Sequence, residues 1–332
     1  MTLTQLRYFA AIIDAGLNVT FAAKKMHGTQ SGLSKQVKQL EDELGFSLFV
    51  RRARSLVALT PEGERVLEHV RPLLDHARNI RALSANLRNA ADGELHIATT
   101  HTQARHVLPR VLARLKKSVP KVTVHLAPGS NSESLARLRS GEVDLAIVST
   151  GTQPPDADVT LPLYRWERVV VVPTQHRLAR LPRPLELRDL AEVPLISYES
   201  SRDRDSSLRL AFQQAQIEPV IAMTAPDADL IKTYVRAGQG VGILAEMALG
   251  EPDDQLAAIT ADGLFPTCTA WLLLRRDRLL RDYTLALIGD LLPHIHAGDL
   301  RSVLDGSATY SGPIPHWRDS LAPVRLLSTA SL

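Results

Sequence analysis

Leu33, Val37, Leu40 and Leu44 recur at spacings of four, three and four, so a helix over this stretch carries them on one inward-packing stripe. Its free face then shows Gln30, Ser31, Ser34, Lys35 and Lys38. Hydroxyls, an amide and two ammonium groups on one helix face can bond phosphates and base edges in a major groove. Gly45 suits the C-terminal cap. Upstream, Asn18 or Thr20 can cap a short helix whose Ala22, Ala23 and Met26 allow close packing, with His27, Gly28 and Thr29 as the turn. Leu3, Leu6, Phe9, Ile12 and Ile13 give a first helix its apolar face. The run FSLFVRRARSLVAL alternates as a hairpin with Arg51, Arg52 and Arg54 at or near its tip. Residues 1–60 thus read as a winged helix-turn-helix; the plainer alternative is a solvated face of short amphipathic helices and a basic hairpin.

Thr60 followed by Pro61 starts a new helix, with the hydroxyl as cap and proline at the first position. Gly63 stands where a full capping box has Glu or Gln. Val66, Val70, Leu73, Ala77, Ile80, Leu83 and Leu87 then recur every three or four residues. Within a linker at residues 61–92, the helix from Pro61 to about Ala90 spans about 45 Å at 1.5 Å per residue. Such a seam predicts a partner helix, hence a dimer, with a kink at Pro72.

From residue 93 strands and helices alternate: GELHIATT, a helix to about Ser118, KVTVHLAP, SESLARLRSG, VDLAIVS, ERVVVVP, LRDLAEVPLISY, a helix from about Ser206, DADLIKTYVRAGQGVGIL, TAWLLLRR and LRDYTLALIGDLL. That rhythm predicts an α/β domain with a largely parallel sheet. Residues 297–332 carry turn formers without clear periodicity and read as a loosely structured tail.

The 332 residues suit two or three domains, and 45% hydrophobic with 23% charged residues is the balance of a soluble globular protein. The N-terminus has no apolar run of signal or membrane-spanning length, so a cytoplasmic protein without membrane attachment is expected. The single cysteine, Cys268, excludes an intramolecular disulfide and a cysteine metal cluster. Charge is unevenly placed: residues 1–60 hold eight basic against four acidic side chains, while the remainder is nearly neutral. The surplus belongs to the DNA-binding end.

TTHTQ sits where a strand ends and a helix begins, the usual ligand position in open α/β sheets. Thr100, Thr102 and Gln103 offer hydroxyl and amide donors there, and the helix start adds free N–H groups. Such a site can hold a sulfate or carboxylate without a formal cation. Read alone, such a Thr-rich junction is more often simply a capped helix.

LRYFAAIIDAGLNVTFAAKKMHGTQSGLSKQVKQLEDELGFSLFVR resembles the DNA-binding domain of LysR-type transcriptional regulators. IATTHTQARHVLP and DADLIKTYVRAGQGVGIL resemble the family's cysteine-regulon branch. The resemblance reaches to about residue 295. It implies a winged helix-turn-helix, a dimerising linker helix and a periplasmic-binding-protein-like effector domain of two α/β subdomains. Subdomain I would comprise 93–163 and 267–296, and subdomain II 164–266, with crossings near Leu163 and Thr267. It further implies promoter DNA and RNA polymerase as partners, dimers and tetramers, control of sulfur assimilation, and a sulfate-like anion or acetylated serine as effector. Thr100, Thr102 and Gln103 carry over as anion ligands, and Ser149 and Trp166 match further cleft positions.

Two departures stand out. Ser31 replaces the proline usual at the start of the recognition helix. SSRDRDSS replaces a Gly- and Thr-containing loop and puts Asp203 at a ligand-binding threonine. A carboxylate there repels a dianion by several kcal/mol unless paired. Arg202 and Arg204 could pair it or swing in themselves. The carboxylate itself suits an effector that is not simple sulfate but carries an amine or hydroxyl near its acidic group; alternatively the loop is displaced and Asp203 is solvated.

No catalytic set emerges. GQGVG at 238–242 follows a helix and precedes a strand, the reverse of a dinucleotide fingerprint. Ser118 and Lys121 are separated by Pro120, so no helix aligns them. His294 and His296 lack other ligands close in sequence, so neither a metal nor an enzymatic cofactor is expected. A transport receptor would want an export signal and no basic N-terminal domain. Activator and repressor share all of these parts.

Overall fold

The computed structural model describes residues 1–52, 55–151, 153–203, 206–250 and 253–320. Arg54, Arg204 and tail residues 321–332 lie outside the described residues. The chain divides into two compact units, Met1–Arg88 and Asn89–Leu332.

In the first unit, α1 (Leu3–Asp14) begins at Thr2, which exchanges backbone and side-chain hydrogen bonds with Gln5. Asn18 caps α2 (Val19–Lys25), accepting from the Phe21 N–H at 2.9 Å. Thr29 caps α3 (Gln30–Leu44), and Gly45 ends it at φ 80°, a conformation that favours glycine. Leu33, Val37 and Leu40 share one core with Leu6, Phe9 and Ile12 of α1 and Ala22 and Ala23 of α2. The wing pairs β1 (Phe49–Arg52) with β2 (Ser55–Leu59) antiparallel.

The long α4 (Pro61–Leu87) is capped by Thr60, whose hydroxyl accepts from the Gly63 N–H and donates to the Ser47 carbonyl. A Cβ at Gly63 would overlap the carbonyl oxygen of Leu48. Glycine here lets the helix start lie directly on the backbone entering the wing. The helix runs unbroken through Pro72, where the sequence predicts a kink. Pro72 and Glu68, whose carbonyl loses its donor, are both exposed, so solvent can satisfy that carbonyl. Val70 is buried, but Leu73, Ile80, Leu83 and Leu87 leave an uncovered apolar stripe.

The second unit contains, in order, β3 (Asp92–Thr99), α5 (His101–His106), α6 (Leu108–Ser118), β4 (Lys121–Pro128), α7 (Asn131–Arg139), β5 (Leu145–Thr150) and β6 (Val159–Trp166). β7 (Arg168–Pro173), α8 (Leu187–Ala191), β8 (Leu195–Tyr198), α9 (Ser207–Gln214), β9 (Ile221–Ala225), α10 (Ala228–Arg236), β10 (Val241–Ala245) and β11 (Leu256–Thr260) follow. The chain continues through β12 (Cys268–Leu274), α11 (Asp282–Leu291), α12 (Ala297–Asp305) and α13 (Trp317–Ser320).

One five-stranded sheet has the order β4-β3-β5-β12-β6, the other β11-β7-β10-β8-β9. Each is mixed, with one strand, β12 in the first and β7 in the second, reversed among strands that otherwise share one direction, so the largely parallel expectation holds apart from that strand. β4, β3 and β5 run parallel, whereas β12 is antiparallel to both β5 and β6. β8 pairs parallel with β9 and β10, but β7 runs antiparallel to β10 and β11. The reversed strands include those by which the chain enters each sheet from the other. It leaves the first sheet at Trp166, enters the second at Arg168, and returns at Cys268. The crossings touch: Thr267 Oγ1 donates to Glu167 Oε1 at 2.7 Å.

The strand β6 is absent from the sequence reading because Pro162 interrupts its pattern. The proline sits at an edge strand's register shift, where a missing N–H is tolerated. The helix expected to reach Ser118 is divided at Val107, ahead of Pro109.

The tail expectation is corrected as far as Ser320. Leu300, Val303 and Leu304 of α12 pack on the core of the first sheet, and Gly306 closes that helix at φ 85°. Beyond it, Arg165 donates its N–H to the Pro315 carbonyl at 2.8 Å, and Trp317 is buried with its ring 5.2 Å from that of Tyr164. His316 and Arg318 reach the buried Glu246 carboxylate at 3.2 and 2.7 Å, and Glu246 also accepts from the Glu167 N–H. The segment therefore fastens across the same crossing as Thr267.

Candidate functional site

Two surfaces carry candidate chemistry. On α3, Gln30, Ser31, Ser34, Lys35 and Lys38 are all exposed, opposite the buried stripe. Ser31 Oγ lies 3.4 Å from Thr29 Oγ1, so the serine that replaces proline joins the cap. Arg52 is exposed on the wing. Arg51 is not a free arm: its guanidinium binds the Glu41 carboxylate at 2.5 Å. Glu41 in turn accepts from the N–H groups of Leu48 and Phe49, so Arg51 helps lock the wing to α3.

The second surface is a cleft of about 230 Å³ between the two sheets. Thr100, Thr102, Gln103, Ser149, Trp166 and Asp203, separated by up to about a hundred positions in sequence, all line it. Thr100 caps α5, accepting from the Gln103 N–H at 3.4 Å, which leaves its own O–H free to donate. Gln103 is almost wholly buried and its amide is fixed at both ends. The Tyr164 hydroxyl donates to Oε1, and Nε2 donates to Ser149 Oγ at 3.2 Å. With its lone pair so used, the Ser149 O–H becomes a donor for a ligand. Asn131, the first residue of α7, brackets the Ser149 backbone: its Nδ2 donates to the carbonyl at 2.6 Å and its Oδ1 accepts from the N–H at 3.1 Å.

Across the cleft, Tyr198 OH accepts from the Ala245 N–H at 3.1 Å and from Thr102 Oγ1 at 3.4 Å, joining the two lobes. Burial pushes the ionisation of both Tyr164 and Tyr198 upward, so both phenols stay neutral hydrogen-bonding groups at ordinary pH. Glu133, also lining the cleft, is held below the usual carboxylate range by the Ser130 N–H and hydroxyl and is charged.

Arg168 corrects the expectation of a site without a formal cation. It opens β7, lines the cleft and is only 6% exposed. Its Nε donates to Ser207 Oγ at 2.8 Å, and its guanidinium carbon lies 5.8 Å from the centre of the Trp166 ring. Nη1 is buried without a hydrogen-bond partner among the described residues, as is Nε1 of Trp166. Two unsatisfied buried donors side by side, one of them charged, suit an anionic ligand. In the sequence, Arg168 looks like the polar start of the apolar strand RVVVVP; only its place at the crossing turns it into the cleft. Asp203 is exposed, in a turn where its carbonyl accepts from the Ser206 N–H at 3.1 Å. Glu133, Glu199 and Asp203 make the acidic part of a lining that Arg168 makes cationic elsewhere.

Residues 3–64 match the bacterial regulatory helix-turn-helix family of LysR proteins, and residues 88–294 match the LysR substrate binding domain. The chain belongs to the LysR family of DNA-binding transcriptional regulators and is not an enzyme. Among its relatives, the transcriptional regulator CysB of Haemophilus influenzae is 40% identical over 295 residues, covering 89% of this chain and 91% of that protein. SsuR of Burkholderia cenocepacia is 37% identical over 305 residues, covering 92% and 99%. The crystal structure of the cofactor-binding domain of the Cbl transcriptional regulator is 33% identical, with a TM-score of 0.60, and covers 65% of this chain and 95% of that one. The fold is also that of full-length CbnR in complex with its target DNA, 23% identical, with a TM-score of 0.59.

Proposed function

We propose that this chain activates sulfur-assimilation genes in the cytoplasm, binding a small anionic effector in the cleft and working as a dimer or tetramer with RNA polymerase. Gln30, Ser31, Ser34, Lys35, Lys38 and Arg52 contact operator DNA, α3 lying in the major groove and the wing on the backbone. The uncovered stripe at Leu73, Ile80, Leu83 and Leu87 seals against the same stripe of a second copy. Similarity to CysB and SsuR supports the sulfur reading.

The observation that carries the effector reading is Arg168, a buried guanidinium whose Nη1 has no hydrogen-bond partner among the described residues, in a cleft whose lining also holds hydroxyls, amides and three carboxylates. It takes the acidic group, beside Thr100, Thr102, Ser149 and Trp166. The acidic side chains Glu133, Glu199 and Asp203 favour an amine or hydroxyl elsewhere on the molecule, as an acetylated serine has and sulfate lacks.

Thermal unfolding of the full chain against sulfate, thiosulfate, O-acetylserine and N-acetylserine tests this. A ligand at 100 times its Kd stabilises the fold by about 2.7 kcal/mol. Stabilisation by an acetylated serine above that by sulfate supports the proposal; no shift with any of the four separates the protein from sulfur metabolism.

A further inference from the structure

We propose that Glu94, His96 and His125, none of which lines the cleft, form a binding site for a zinc-class transition-metal dication. β3 and β4 run parallel with His96 directly opposite His125, and Glu94 lies two residues before His96 on the same face. The two imidazoles stack with centres 4.6 Å apart and planes 10° from parallel. His96 Nε2 lies 3.4 Å from Glu94 Oε2, and one ligand atom from each of the three side chains falls within 4.8 Å of the others.

The platform is built before any ion arrives. β3 is an interior strand, bonded to β4 on one side and β5 on the other. The His96 backbone is tied at both groups to Asp144: its N–H donates to Oδ2 at 2.8 Å and its carbonyl accepts from the Asp144 N–H at 2.9 Å. Asp144 is in turn ion-paired with Arg278, so that carboxylate is occupied and the ligand set stays Glu94, His96 and His125. Further along the same face Ala98 is buried with Leu138 of α7, whereas Glu94 and His125 are exposed and His96 half-buried, so an ion has access.

Two imidazole nitrogens and one carboxylate oxygen select the metal. Imidazole suits Zn²⁺, Ni²⁺, Cu²⁺ and Co²⁺, whereas Mg²⁺ and Ca²⁺ require oxygen-rich shells. Bonds of about 2.0–2.2 Å put tetrahedral ligand atoms roughly 3.3 Å apart, so modest side-chain rotation closes the set. Three protein ligands leave one position open to water or to a group from another molecule.

The test uses the full chain without a histidine tag, treated with chelator and then titrated with Zn²⁺ and Co²⁺, with Mg²⁺ as control. The expected result is one equivalent bound with a Kd of about 10 μM or tighter, a raised Tm, and Co²⁺ absorption bands of a four-coordinate site. His125→Ala, at an exposed position, should weaken binding at least tenfold, as should His96→Ala, and Glu94→Gln should weaken it less. Absence of binding, or binding retained in both histidine variants, overturns the proposal.

Discussion

The Tyr164 hydroxyl donates to Oε1 of Gln103, in a buried contact joining residues 61 positions apart in sequence. It sets which end of the Gln103 amide faces Ser149, and the far face of the Tyr164 ring packs on Trp317. Tyr164 thus contacts both a cleft-lining residue, Gln103, and the C-terminal segment. Tyr164→Phe keeps the ring packing but strands a buried acceptor, a loss of about 1–3 kcal/mol. Urea unfolding of the effector-free protein should show that drop, and effector affinity should fall with it because the amide is free to turn. An unchanged urea midpoint would mean that the bond contributes nothing.

Arg168→Gln should behave in the opposite way. No carboxylate pairs with Arg168 among the described residues and its Nη1 has no hydrogen-bond partner there, so removing this buried charge should cost the effector-free fold little and can stabilise it. Binding should lose about 2–5 kcal/mol, more than tenfold in Kd. Calorimetric titration combined with thermal unfolding separates the two effects. A variant that unfolds earlier yet binds as tightly as the parent would assign Arg168 to the scaffold.

Much of this fold is legible in the sequence, for identifiable reasons. The helices of the first unit announce themselves because one periodic stripe and one side-chain cap decide each of them, as with Thr29 and Leu33, Val37 and Leu40 in α3. The cleft residues on TTHTQ are visible because strand-to-helix junctions are local. Edge strands are less legible: β6 carries Pro162, and β9 and β11 are short and pair on one side only. Trp317 and Arg168 take their roles from distant partners, Tyr164 and the cleft, which no local periodicity records. The helix α12, by contrast, was readable from Leu300, Val303 and Leu304 at one-turn spacing.

Gly63 should tolerate no side chain. Its position against the Leu48 carbonyl means that Gly63→Ala forces the helix start away from the wing, at about 1–3 kcal/mol. The first unit should melt earlier, and DNA affinity should fall although no DNA-facing residue has changed. Calorimetric melting alongside fluorescence anisotropy on operator DNA measures both.

Stability should decline in mild acid through His294. Burial lowers its protonation below the ordinary histidine range, an effect that its bond to the Pro162 carbonyl opposes only in part. The folded form therefore binds fewer protons than the unfolded one. The stability it contributes is intact above the unfolded value, near 6.5, and is lost as pH falls from there toward the lowered folded value. Tm measured from pH 8 to pH 5 should fall less steeply in His294→Gln than in the parent protein. Parallel curves would place the acid sensitivity elsewhere.

The most direct measurement is a DNase I footprint of the full chain on promoter DNA of a sulfur-assimilation operon, with and without N-acetylserine, for the parent and for Arg168→Gln. The predicted result is protection by both proteins, with an effector-dependent change in the protected region only in the parent. Protection that ignores the effector in both, or responds equally in both, would contradict a cleft that controls DNA binding through Arg168.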